Sequence, residues 1–367
     1  MEKEISPARL TGFAGGLRRR CIGVLTLAGG ALLIPAAAAQ AATKDAYAGT
    51  PPTGALKGVP SFVADNAFYP KRTVIHQGDK VAFNILGFHT VTLAPKGPRP
   101  ALFLVDPAHP VSGIKDAANA DFWFNGLPSI GINPQVAAPT ASQTFDGTQL
   151  VGSGIPGGPP KPFKVKFTRK GTYTVFCALH PGMTGKIVVK GKNAAIPTKK
   201  QDKKAIKKQV KAATKLAKKL AAGHGVPKGL TVKAGNDKQG IAAIAFFPAK
   251  KIVKVGQQVK FTVSDKTTET HNIAFAPQAY AQQLAAAFIG PAGLDPRAVY
   301  PSQPPAAPLI VDGKAHGNGF VNTGMLDTVK STPLPKSATV SFSKPGTYQY
   351  YCLVHGAEMK GQITVTQ

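Results

Sequence analysis

Apolar residues in this chain come in short runs with turn residues on either side. Val74 to Phe83, Phe163 to Phe167, Tyr173 to Cys177, Ile252 to Phe261 and Ala338 to Phe342 are rich in β-branched and aromatic side chains and are bounded by Gly, Pro or Lys. Period-two patterning puts alternate side chains on one face of a strand, so these runs predict β-strands. Many short strands separated by frequent turns predict an all-β sandwich or barrel. Two long segments, 96–162 and 278–335, are rich in Pro, Gly and Ala and read as elaborate loops, with a short helix over Ala279 to Phe288.

Between these regions the period changes. Ile206, Val210, Ala213, Ala217 and Leu220 recur at three- and four-residue intervals, which predicts an amphipathic helix, and Gly223 and Pro227 punctuate its end. The stretch from Lys190 to Lys219 holds twelve Lys against one Asp. Two readings stand side by side: a solvated linker helix that packs one narrow stripe on a domain, or a helix that binds an anionic surface.

The strand pattern repeats. Phe68-Tyr69-Pro70 precedes Gly78 by the same interval that Phe246-Phe247-Pro248 precedes Gly256, and Val81 and Phe83 then match Val259 and Phe261. His89-Thr-Val-Thr-Leu-Ala94-Pro95 lines up with His271-Asn-Ile-Ala-Phe-Ala276-Pro277. Phe167 leads through Gly171-Thr172-Tyr173 to Cys177 as Phe342 leads through Gly346-Thr347-Tyr348 to Cys352, and final strands follow at Lys186 to Lys190 and Gln362 to Thr366. A whole domain is present twice. The division this predicts is a leader at 1–42, a first domain at 43–192, a basic helical linker at 193–228 and a second domain at 229–367.

Each copy ends in a loop that concentrates soft ligands: Cys177-Ala-Leu-His180-Pro-Gly-Met183 in the first and Cys352-Leu-Val-His355-Gly-Ala-Glu-Met359 in the second. Thiolate, imidazole and thioether together select copper, and two His with one Cys and a weak axial Met form the ligand set of blue-copper electron-transfer centres. Each half then needs one more His from upstream, and His89 and His271 are placed to supply it. The chain has only three Cys and four Met, and both Cys beyond the leader belong to these loops. Neither half offers a second Cys or a nearby His pair to close a tetrahedral zinc site, and the second Cys of a c-type haem motif is missing.

Arg18-Arg19-Arg20, the apolar run from Cys21 to Ala39 and Ala39-Gln40-Ala41 have the charged, apolar and small-residue parts of a secretory signal, with cleavage expected near Ala41 or Ala42. An exported protein, periplasmic or extracellular, is therefore expected. Its net charge of +28, with Lys+Arg 45 against Asp+Glu 17, speaks to partners and kinetics rather than to fold. Export argues against nucleic acid, which leaves an acidic redox partner protein, an anionic envelope polymer or a membrane surface.

On these ligand loops and this repeat, each half resembles a cupredoxin of the plastocyanin, amicyanin and pseudoazurin kind, over roughly residues 60 to 190 and 230 to 367. The resemblance implies two tandem Greek-key β-sandwich domains, each with copper under one end. It implies that His89, Cys177, His180 and Met183 hold one copper and that His271, Cys352, His355 and Met359 hold the other. It further implies independent Cu(I)/Cu(II) centres whose loop histidines, His180 and His355, lie near the surface and pass electrons outward. Asn commonly follows the first ligand His in this family; Asn272 keeps that pattern and Thr90 departs from it. The same ligand set also suits copper storage or delivery. A multicopper oxidase or nitrite reductase-like enzyme would need further histidines, and His76, His109, His224 and His316 form no His-x-His pair. A non-enzymatic role is expected.

Overall fold

The computed structural model describes residues 41–265, 269–290, 293–305, 308–329, 332 and 334–367. The leader expected at 1–42 lies, but for its last two residues, outside them. Among the described residues no helix is long and apolar enough to cross a membrane.

Alternation works as the sequence predicts. In the strand Phe163–Phe167 the three apolar side chains are buried and Lys164 and Lys166 point to solvent. Phe83, Val165 and Phe167 from one sheet and Leu93, Val175 and Ile187 from the other bury their faces in one core. The first sheet of the first half runs Phe68–Tyr69, Thr43–Gly49, Lys80–Leu86, Phe163–Phe167, Thr144–Phe145, and the second runs Val151–Gly152, Thr92–Leu93, Gly171–Phe176, Thr184–Lys190, Arg72–His76. The second half repeats both orders. One sheet contains Ile241–Phe247, Thr231–Lys238, Gln258–Thr262, Ser337–Phe342 and Leu309–Val311, and the other contains Val321–Asn322, Ala274–Phe275, Gly346–Cys352, Gly356–Thr366 and Lys250–Lys254. The chain is thus mostly β, with two similar sheet-rich domains separated by a helix.

Two predicted runs are divided. Val74 to Phe83 and Ile252 to Phe261 each read as one strand, but each is two strands in different sheets. The chain crosses between sheets at Gly78 (φ +94°) and Gly256 (φ +80°), in a left-handed conformation open to glycine at little cost. The amides of Gly78 and Gly256 donate to Phe167 O and Phe342 O at 2.7 and 2.9 Å, which pins the crossings at equivalent places.

Residues 43–192 do not all serve the first pair of sheets. Val63–Asp65 pairs antiparallel with Ile241–Phe247 and so adds an outer strand to the second half. The long first-half segment, expected as loop, contains the paired strands Phe103–Pro110 and Pro128–Ile132. Its Phe103, Phe122 and Phe124 lie in one apolar cluster with Leu284, Phe320 and Tyr351 of the second half. Trp123 Nε1 donates to Pro301 O at 2.8 Å, and His316 Nδ1 lies 3.1 Å from Asp116 Oδ2. The expected helix at Ala279 to Phe288 is found at Gln278–Ala286 and packs in this cluster through Ala281 and Leu284.

The connecting helix is Lys199–Ala221. Thr198 caps it, accepting from the Gln201 amide while the Gln201 side chain accepts from the Thr198 amide. This reciprocal pair satisfies two of the amides that a helix start leaves unpaired. Ala217 and Leu220 pack on Ile241 and Ala243 of the second half. Gln209 accepts from the Lys71 amide and donates to Phe68 O at 2.8 Å, and Asp202 pairs with Lys44 at 2.7 Å, both on the first half. The helix is therefore a strut fixed at both ends, and its lysines all face solvent.

Asp65, on the borrowed strand, accepts hydrogen bonds from the Tyr69 hydroxyl at 2.8 and 3.0 Å. Burial pushes its carboxyl from the ordinary 3.8 up to about 7, against the opposing effect of Tyr69. A carboxyl that holds its proton more tightly when folded stabilises the fold below its unfolded pKa, and that contribution is lost as pH rises through the folded one. Asp65→Asn should therefore gain in melting temperature relative to wild type as pH rises from about 4 to about 7. Melting curves across that range check this, and a constant difference would refute the assignment.

Candidate metal centres

Each ligand loop is held by the strands beside it. In the first half the loop leaves Gly171–Phe176 and returns in Thr184–Lys190. It is closed by Cys177 N donating to Met183 O at 3.1 Å and Met183 N donating to His180 O at 2.8 Å. His89 comes in from the segment between Lys80–Leu86 and Thr92–Leu93, and its Nδ1 lies 3.0 Å from His180 Nδ1, while Cys177 Sγ is 3.4 Å from the same nitrogen. In the second half Cys352 Sγ lies 3.4 Å from His355 Nδ1 and 3.8 Å from His271 Nδ1. Within each trio one ligand atom per residue lies within 4.8 Å of the others, and these two trios are candidate metal sites among the described residues.

The structure thus brings together His89, Cys177 and His180, and separately His271, Cys352 and His355. Met183 and Met359, which are 0% and 3% exposed, lie in the same buried clusters as Cys177 and Cys352. His76, His109 and His316 are engaged elsewhere, beside Ala194 O, Asp106 and Asp116 respectively.

The donor set fits a thiophilic ion. Burial pushes the Cys177 thiol up, but hydrogen bonds to His180 and His89 and their positive charge outweigh it, so the thiol falls to about 5. Cys352 falls well below the usual thiol range, where burial is overcome by the charge of His355 and hydrogen bonds from His271 and His355. Both cysteines are buried free thiols. Metal ligation needs thiolate, and both sites favour that form in advance.

A buried carboxylate that sequence reading did not single out stands between the two trios. Glu269 Oε2 is 3.5 Å from His180 Nε2 and 3.2 Å from His355 Nε2, while Oε1 accepts from Asn66 Nδ2 at 2.5 Å. Burial raises its pKa, but the charge of His180 and the hydrogen bond from His355 dominate and hold the carboxyl at about 2. In return, burial lowers His355 while Cys352 and Glu269 raise it further, to about 10. His180 is also raised, with Glu269 and Cys177 overcoming burial. The signal available in the sequence was an acidic residue two positions before the ligand His271 in a strongly basic chain.

The loop histidines, expected near the surface, are partly exposed, at a cavity. The side chains of His180 and His355 are only 12% and 14% exposed. They turn to Glu269 and to a cavity of about 600 Å³ whose walls include Leu56, Phe88, Phe103 and Phe288. Both trios also touch one side chain, Glu269.

Thr90, the departure from the expected Asn, does an equivalent job. Its hydroxyl accepts from the Ala178 amide at 2.7 Å, as Asn272 Oδ1 accepts from the Leu353 amide at 2.7 Å. The residue after each first histidine therefore ties down the amide after each cysteine. The Thr90 amide also donates to Cys177 Sγ at 3.2 Å, which supports a thiolate.

Two glycines were also missed. Ala48 pairs with Phe68 and Ala234 with Phe246, which makes Gly49 and Gly235 equivalent. Segments of different length separate them from Phe68 and Phe246, so the repeat in the sequence does not align them. A Cβ on Gly49 would sit 2.6 Å from His89 Nε2, and one on Gly235 would sit 2.3 Å from His271 Nε2, both at positive φ. Only hydrogen fits between backbone and ring at these places.

Residues 230–366 match the family model of copper binding proteins, plastocyanin/azurin family. Similar solved structures include the oxidised form of plastocyanin from Dryopteris crassirhizoma, 26% identical, covering 37% of this chain and 99% of that chain with a TM-score of 0.22. A reduced Cu(I) form of amicyanin is 16% identical and covers 40% of this chain and 89% of that chain, with a TM-score of 0.21. At least the matched part of the chain has a cupredoxin-like fold, and the first half repeats its strand order and its His-Cys-His trio.

Gly235→Ala should displace the His271 ring and weaken metal binding in the second half by about tenfold or more, with a much smaller effect on the first half. Gly49→Ala should do the reverse. Cobalt(II) titration followed by the thiolate-to-metal charge-transfer band measures this, and an unchanged affinity in either variant would show that the ring can move aside.

Proposed function

We propose that the chain is an exported protein of two cupredoxin-like domains that binds one copper in each half and transfers single electrons. The observation that carries this reading is the duplicated, buried convergence of two imidazole nitrogens and one thiolate, with a methionine in the same buried cluster. Copper held there would supply one-electron exchange between Cu(I) and Cu(II). His89, Cys177 and His180 would hold it in the first half and His271, Cys352 and His355 in the second, with Met183 and Met359 as weak axial donors.

The protein's own contribution is to hold these donors still. Thr90 and Asn272 tie the loops, the glycines leave room for the first histidines against backbone, and both cysteines are fully buried. A ligand set that cannot relax between two oxidation states has little to rearrange when charge changes, which favours electron transfer. Storage or delivery requires ligands that open to release the ion, and buried, braced donors oppose that. We further propose that the solvent-facing lysines of Lys199–Ala221 meet an anionic partner protein or envelope surface, through attraction that salt would screen.

Optical and EPR titration of metal-free protein with Cu(II), followed by reductant, should give two reversible blue sites per chain. Cys177→Ser and Cys352→Ser should each reduce the stoichiometry from two to one, because a serine hydroxyl cannot replace the thiolate. A wild-type stoichiometry below one per domain, or colour that survives in both halves of either variant, would overturn the reading.

A further inference from the structure

We infer that the two ligand sets act as a coupled pair joined through the Glu269 carboxylate, which serves as the internal bridge for electron exchange between the halves. The inference rests on the copper reading and adds a partner for each site, namely the other site.

The geometry is direct. His180 and His355 each turn Nδ1 toward their own cysteine and Nε2 toward the same oxygen, Oε2 of Glu269. The Cys177–His180–Glu269–His355–Cys352 sequence is therefore continuous, made of two ligand loops and one side chain. Glu269 is 5% exposed, and Asn66, itself 1% exposed, holds its other oxygen. Asn66 comes from the first half and Glu269 from the second, so the bridge is clamped from both sides. Because both histidines lie within 3.5 Å of the same carboxylate oxygen, a charge change at either is felt at the other. Coupling of this kind is reciprocal: oxidation or occupancy of one site alters the other by the same free energy.

The step moves one electron. With copper held by His180 in one half and by His355 in the other, one electron would leave the reduced site and enter the oxidised one, with no bond, proton or atom changing hands. Glu269 acts as a positioning residue, through the histidines and not on the metal itself.

The test uses the full chain loaded with copper, as wild type, Glu269→Gln and Glu269→Ala. Copper content and the blue band are measured first; if wild type takes up no copper, the functional reading fails and the bridge fails with it. Spectroelectrochemical titration then follows each site. Glu269→Gln keeps a hydrogen-bonding oxygen and removes the charge that favours the oxidised form, so both midpoint potentials should rise together. After rapid partial reduction, redistribution of electrons between the halves should be independent of protein concentration in wild type and severalfold slower in Glu269→Ala. In the reduced, diamagnetic protein the Nε2 proton resonances of both His180 and His355 should shift in Glu269→Ala. Should Glu269→Ala fail to fold, the potentials of Glu269→Gln still decide the matter. Normal copper uptake with neither potential moved, or only one, would overturn the bridge and leave the copper reading standing.

Discussion

A charge removed from water costs several kcal/mol unless an opposite charge stands beside it. Cys177, Cys352 and Glu269 are 1%, 0% and 5% exposed, so three groups that favour their anionic forms lie where water cannot stabilise them. His180 and His355 answer all three, each lying between a cysteine and the shared carboxylate. Because the carboxylate comes from one half and one of its histidines from the other, that solution requires the halves to stay in register. The strut helix, the aromatic cluster under Phe122 and Phe124, and the strand lent across the junction all act on that single requirement.

Duplication has preserved some things and varied others. The strand order, the sheet crossings at Gly78 and Gly256 and the glycine under each first histidine are the same in both halves. Those positions answer to backbone geometry, which admits few substitutes. The residue after the first histidine has changed from one half to the other, Thr90 against Asn272, yet each supplies an oxygen to the amide following a cysteine. A hydrogen-bond acceptor at a given point can be built from either side chain, so identity there is freer than role.

Much of this was legible in the sequence. Alternation marked Phe163–Phe167 because its lysines and aromatics report opposite faces directly. Helical spacing marked Ile206, Ala217 and Leu220, all of them buried. The trios were legible because cysteine is rare here and each sits three residues before a histidine. Contacts between distant segments were not. Val63–Asp65 has no local feature that says which sheet it will join, and Phe122 and Phe124 look like loop aromatics until Phe320 and Tyr351 are seen against them. Glu269 was missed for the same reason, since its importance lies in His180, a residue of the other half.

The lent strand has a consequence for any attempt to take the protein apart. Without Val63–Asp65, the outer edge of Ile241–Phe247 would present unpaired amides and carbonyls beside the apolar side chains of Ile241 and Phe246. Bare edges of that kind recruit strands from other molecules. Excised alone, the C-terminal half would be a sticky fragment, so the second domain depends on a short segment that the first supplies.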